Sequence, residues 1–140
     1  MGTAAPELLD NSVENLVPIV INKLKAGEPP VIYGTDYPTP DGTCIRDYVD
    51  VRDIAKAHLA SADYTGDLPL SLNVGSGIGG SVRDVIRLVA EASGHTDVVA
   101  LEVERRSGDP AFLCADVTLI GHSLNFVTKF SLENSSKSLF

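Results

Sequence analysis

Two arginines in loops are the residues of this chain best suited to hold a ligand: Arg46, in DGTCIRDY (residues 41–48), and Arg106, in RRSGDP (residues 105–110). A guanidinium presents a planar fork of donors that matches phosphate oxygens in two-point contacts, and loops at strand ends are where α/β proteins usually keep binding groups. Two such cations suit a diphosphate. The competing reading has each arginine pairing at the surface with its neighbouring Asp, a contact of little energetic weight. Spacing alone does not choose between the two.

Gly75, Gly77 and Gly80 spell GxGxxG between a strand candidate at residues 70–74 and a helix expected from Val82 to about Ser93. That is the context of a dinucleotide-binding turn. The register argues against it, because the helix begins beyond the last glycine, whereas a pyrophosphate sits on a helix N-terminus embedded in the glycine run. The ribose-binding carboxylate would fall near Glu102 or Glu104, with no further βαβ unit after it. A strand-to-helix turn is the expectation, since glycine's tolerance of positive φ accounts for the composition. No cofactor is expected on this loop.

The elements that position these loops follow from periodicity. Leu16, Ile19, Val20 and Leu24 have helical spacing over residues 14–25, and Gly27 supplies a stop. Residues 31–33 read as a short strand, and TDYPTPDGT (35–43) as a surface loop. Ile45, Tyr48, Val49 and Val51 suggest a second strand, after which Asp53 is expected to cap a helix carrying Ile54, Ala57, His58 and Leu59. The clearest helix opens at Ser81, with Asp84 at capping-box spacing, and buries Val82, Val85, Ile86 and Val89 before Gly94 ends it. Residues 98–103 read as a further strand. From Asp116 onward the pattern weakens, and SLENSSKSLF shows no readable termination.

With 140 residues the chain suits one domain, and 44% hydrophobic with 21% charged residues is ordinary for a globular protein. A net charge of −8 argues against a duplex-binding surface, which needs clustered cations. Cys44 and Cys114 form no CxxC pair, so buried free thiols are expected rather than zinc or redox chemistry. The N-terminus has no basic region followed by an apolar stretch, and no segment reaches membrane-helix length. A cytoplasmic location and no membrane partner are the default expectations.

VENLVP (13–18), VIYGTDYPTPDGTCIRDYVDVRDIAKAH (31–58), LNVGSGIGGSV (72–82) and RRSGDPAFLCAD (105–116) resemble, in order and spacing, the bacterial-type UDP-glucose 4-epimerases of the extended short-chain dehydrogenase/reductase superfamily. The resemblance covers residues 13–133. It implies an α/β fold, the C-terminal substrate-binding portion of such an enzyme, with a flexible arm at 1–12 and a tail at 134–140. It further implies that Asn15 and Leu16 lie beside the nucleotide, that Ile32 and Tyr33 bracket the uracil, and that Arg46 and Arg106 grip the diphosphate. By the same resemblance Asp109 accepts from the uridine ribose, Tyr48 is a nearby positioning residue, and Leu113 stands where bulk limits the sugar pocket. A mid-sized leucine leaves hexose and N-acetylhexosamine both open. The implied partner is a UDP-sugar, and full-length relatives are expected to be homodimers.

Such enzymes pass hydride from sugar C4 to NAD and back, with the tyrosine of a YxxxK pair taking the hydroxyl proton. None of Tyr33, Tyr37, Tyr48 and Tyr64 has lysine four residues on. The base and the cofactor's glycine fingerprint are expected to belong to an N-terminal domain not contained here, and the chain alone to be inactive. A non-catalytic UDP-binding module, and a fragment of a related dehydratase or decarboxylase, are the alternatives.

Overall fold

The computed structural model describes residues 14–140, so the arm expected at 1–12 lies outside the described residues. Helix α1 (Leu16–Lys25) places Val20 and Leu24 in the core, with Leu16, Val17 and Ile21 packed beside them. Pro18 lies in its first turn, where a missing N–H costs nothing because that group has no intrahelical partner. The end is set by Gly27 at φ +69°, which lets Glu28 N–H return to the Lys23 carbonyl at 2.9 Å.

Strands β1 (Val31–Tyr33) and β4 (Leu101–Val103) pair in parallel, Ile32 opposite Glu102. A second sheet has the order β3-β2-β5, with β2 (Ile45–Asp47) antiparallel to β3 (Gly79–Ser81) and parallel to β5 (Phe112–Leu113). The strand expected at 70–74 is absent, and Leu70 is fully exposed. A strand is a pairing rather than a propensity, and the place beside β2 is taken by Gly-Gly-Ser.

Helix α2 (Val51–Asp63) begins earlier than expected. Asp50 is its N-cap, in extended conformation, and accepts from Arg52 N–H at 2.9 Å. Asp53 is no cap: it sits in the first turn, wholly buried, and its carboxylate accepts from the backbone N–H groups of Lys129 and Phe130 at 2.9 and 3.0 Å. Of the residues expected on the buried face only Ala57 is enclosed, and Leu59 is exposed.

Helix α3 (Val82–Ala92) matches its expectation. Ser81 Oγ accepts from Asp84 N–H at 3.0 Å, and Val85, Ile86, Val89 and Ala90 are buried. The Asp84 carboxylate turns to Arg87 instead of closing the box. After α4 (Thr118–Leu124) the chain forms α5 (Leu132–Lys137) in the stretch that showed no pattern. Ser131 and Asn134 make a reciprocal capping box there, and Leu132 and Leu139 pack against the core. Helix α3 lies between α1 and α5, and that three-helix layer with Ile32 beneath it is the core. The architecture is α/β, as the sequence implies.

Candidate functional site

Arg46 stands mid-strand in β2, with Gly80 on one side and Leu113 on the other. Its Nη2 donates to Asp109 Oδ1 at 2.6 Å and its Nη1 to the Ile45 carbonyl at 2.7 Å. With only 22% of the arginine side chain exposed, the pair is less screened than a surface one. Asp109 in turn closes a tight turn, its N–H donating to the Arg106 carbonyl at 3.3 Å. Arg106 lays its guanidinium over the Tyr33 ring, 3.9 Å from the centroid, a cation–π stack. Among the described residues no carboxylate pairs with Arg106. The result is one continuous row, Leu113, Arg46, Asp109, Arg106 and Tyr33, built from three loops and strand ends.

Gly34 makes this row possible. It has φ +87°, and a Cβ there would lie 2.6 Å from both Arg105 Cβ and Tyr37 Cε2, so only glycine lets the end of β1 approach the arginine loop. Arg105 is committed elsewhere, to the Asp36 carboxylate and the Tyr37 ring. An open groove of about 680 Å³ lies beside it, lined by Gly34, Thr35, Asp36, Glu102, Val103, Glu104 and Arg105. Three carboxylates against one already paired arginine make that groove unsuited to a diphosphate.

Other predicted site residues stand apart from this row. Ile32 is 1% exposed and packs with Val20 and Val85, so its side chain faces the core and only its backbone is available beside Tyr33. Leu16 opens α1 with its side chain against the core, and Asn15 is the exposed N-cap. Tyr48 packs on the core beside Gly80, and burial pushes its phenol up to about 12, which makes it a poor proton acceptor near neutrality.

Sequence reasoning missed three residues under and beside the row. The thiol of Cys44, free and buried, lies 3.9 Å from Asp109 Oδ2 and donates to it. The Tyr37 hydroxyl is buried with no hydrogen-bond partner among the described residues. Asp47 is the third. The competing reading of Arg46 as paired with its sequence neighbour fails on strand geometry, since adjacent strand residues face opposite sides. Alternation along β2 was the signal available.

Asp47 faces the glycine loop instead. Its Oδ1 accepts from Ser76 N–H and Oγ at 2.9 and 2.5 Å, and its Oδ2 from Gly77 N–H and Ala115 N–H at 3.0 and 3.2 Å. Burial pushes this carboxyl up, but the hydrogen bonds from Ser76, Gly77 and Ala115 outweigh it and hold it below its ordinary value. The loop therefore does not fit the pyrophosphate of NAD: its donors are engaged by a fixed negative charge, and α3 starts beyond Gly80. A Cβ at Gly75 would meet Asp47 Oδ2 at 2.5 Å, which explains that glycine by packing.

Cys114 is half-buried and also free. Among the described residues no group of three or more His, Cys, Asp or Glu could hold a metal ion, and no helix is long and apolar enough to cross a membrane.

The profile of the NAD dependent epimerase/dehydratase family matches residues 5–75. A UDP-glucose 4-epimerase of Azospirillum brasilense is 43% identical over 118 residues, which are 82% of this chain and 34% of that protein. Among solved structures, UDP-glucose 4-epimerase of Bifidobacterium longum, in complex with NAD+ and UDP, aligns with a TM-score of 0.76 and 36% identity, over 89% of this chain and 37% of that one. The Stenotrophomonas maltophila enzyme, with bound NAD and formylated UDP-arabinopyranose, aligns at 0.79 and 32% identity, over 94% and 40%. The chain thus spans about a third of the length of the curated relatives it matches. It belongs to the NAD dependent epimerase/dehydratase family, with the α/β fold of its short-chain dehydrogenase/reductase epimerases.

Proposed function

We propose that this chain forms the UDP-sugar-binding portion of a UDP-glucose 4-epimerase, an isomerase that interconverts UDP-glucose and UDP-galactose in galactose metabolism. The observation that carries this reading is the row of Arg46, Asp109, Arg106 and Tyr33. One guanidinium on the Asp109 carboxylate and a second, three residues away in the same turn, over an aromatic face suit a diphosphate held by the cations, ribose hydroxyls on Asp109 and a base against Tyr33. In this reading Arg46 and Arg106 exchange their present partners for phosphate oxygens. Ile32 contributes backbone beside the base, Asn15 and Leu16 border the nucleotide, and Tyr48 supports β2 from below. Leu113, 59% exposed beside Arg46, borders the sugar and admits a hexose or an N-acetylhexosamine.

Catalysis rests on other residues. No tyrosine here has its lysine partner, and Tyr48 is held protonated by burial. The NAD used by such a reaction, which accepts and returns the sugar hydride, is held in this reading by polypeptide outside these 140 residues, because the glycine loop is filled by Asp47. The chain by itself is a binder and does not turn over.

Titration calorimetry with UDP tests the reading. Saturable heat is expected from the folded chain, with Arg46→Ala and Arg106→Ala each weakening UDP by about tenfold or more, the scale of a charge-assisted hydrogen bond. A folded chain, checked by circular dichroism, that gives no heat with millimolar UDP would rule it out. Steady turnover of UDP-galactose by the purified chain with added NAD would overturn the division of labour.

A further inference from the structure

We propose that Asp47 is a positioning residue of the diphosphate site: its carboxylate latches residues 76–77 and Ala115 onto β2 and thereby sets Arg46 and Leu113 relative to each other. The proposal rests on the reading of Arg46 as a phosphate ligand, but its geometry stands independently. Four donors from two separate segments converge on one side chain, Ser76 N–H, Ser76 Oγ, Gly77 N–H and Ala115 N–H, all between 2.5 and 3.2 Å. Such convergence on a charged acceptor is stronger per bond than a neutral contact.

What the latch holds is the site itself. Asp47 follows Arg46 on β2, and alternation sends the two side chains to opposite faces, one to the row and one to the glycine loop. Ala115 lies two residues beyond Leu113, the register partner of Arg46. Strands β2 and β5 are three and two residues long, so few backbone hydrogen bonds fix their relative position. The carboxylate adds a tie at the end of that short ladder, one residue from the arginine. Both neighbouring glycine contacts agree: a Cβ at Gly75 would strike Asp47 Oδ2 at 2.5 Å and Ala115 Cβ at 2.6 Å. Gly75 thus makes room for an internal anion, and Gly77 supplies one of its donors.

Asp47→Ala in the full chain leaves four donors around a gap that a small carboxylate can refill. UDP affinity is expected to fall about tenfold, as for loss of charge-assisted hydrogen bonds, by calorimetry. Excess sodium formate is expected to recover most of the loss relative to wild type measured in the same formate, while sodium chloride at equal ionic strength does not. Affinity is taken per folded molecule, checked by circular dichroism, so that a loss of fold alone would leave it unchanged. Undiminished affinity, or a loss that formate leaves untouched, overturns the proposal.

Ser76→Ala approaches the same contact from the other side with a half-buried residue, and keeps the proposal testable should Asp47→Ala not fold. It is expected to weaken UDP about threefold, less than Asp47→Ala, because the carboxylate keeps its other three donors; unchanged affinity overturns the proposal. If the wild-type chain itself fails to bind UDP, the diphosphate reading falls and the latch is judged by amide hydrogen exchange. Faster exchange in Ser76→Ala at Arg46 and Ala115 as well as Ser76 and Gly77 supports it. Faster exchange confined to Ser76 and Gly77 overturns it.

Discussion

The helical side and the strand side of this molecule are held together by different means. In the layer of α1, α3 and α5, Val20, Val85 and Val89 are at most 1% exposed, and the contacts are apolar. On the strand side Leu101, Val103, Phe112 and Leu113 are between 36% and 60% exposed, and order depends on single polar ties such as Arg46 to Asp109 and Asp47 to the glycine loop. Burial is roughly proportional to area and tolerant of direction, whereas a charge-assisted hydrogen bond specifies an atom. Stability and recognition are therefore separable here: the helices keep the chain folded, and the polar ties aim its cations.

Variants on each side break this comparison if it is wrong. Ile86→Ala should have the largest effect, a loss of roughly 3 kcal/mol in urea unfolding from transfer and cavity terms together, with UDP affinity per folded molecule unchanged. Asp53→Ala should cost about 2 kcal/mol, because the N–H groups of Lys129 and Phe130 lose their acceptor in a buried place. Ser81→Ala, which removes the cap of α3, should cost about 1 kcal/mol by the same measurement. Arg106→Ala should change stability by only about 0.5–1 kcal/mol, the worth of an exposed cation–π stack, while weakening UDP strongly. A large stability loss there, or an affinity loss in Ile86→Ala, would merge the two regions.

Acid sharpens the same contrast. The Arg52 guanidinium beside Asp50 holds that carboxyl well below the usual carboxylate range, against the opposing push of burial, with Ser135 adding a hydrogen bond. A group whose folded value is depressed contributes stability that is complete above its unfolded value and disappears as pH falls through the folded one. Asp47 behaves alike. Stability should hold down to about pH 4, the ordinary aspartate value, and decline below it, with a smaller decline in Asp50→Asn. An unaltered acid profile in that variant would remove Asp50 from the account.

Helices α1 and α3 were legible because their signals are local: period and glycine stop in α1, and period, cap and glycine stop in α3, lie within one helix length of each other. Helix α5 was not, since its buried position is the polar Ser136, with Leu132 only partly covered, and its box is closed by Asn134 in place of Glu or Gln. Strand β3 was invisible for the opposite reason, because Gly79 and Gly80 carry no strand preference and gain their conformation only from β2. Within the site, Arg46 and Arg106 stood out by residue type and resemblance. Asp109 stood out by resemblance, but its pairing with Arg46 and the partners of Asp47 did not, as they lie between 29 and 68 residues away.

Those distances have a bearing on the order of events in folding. Val31 meets Leu101 and Ile45 meets Phe112, so each parallel pairing closes a loop of about 70 residues, and such closures are slow compared with a helical turn that needs only its own neighbours. The strand edge that carries Arg46 is then formed after the turns of α3. Pulse-labelled hydrogen exchange should find amides of α3 protected before those of Arg46 and Asp109, and the reverse order would refute this sequence of events. A refolding chain would carry the turns of α3 for some time before the strand edge closed around Arg46.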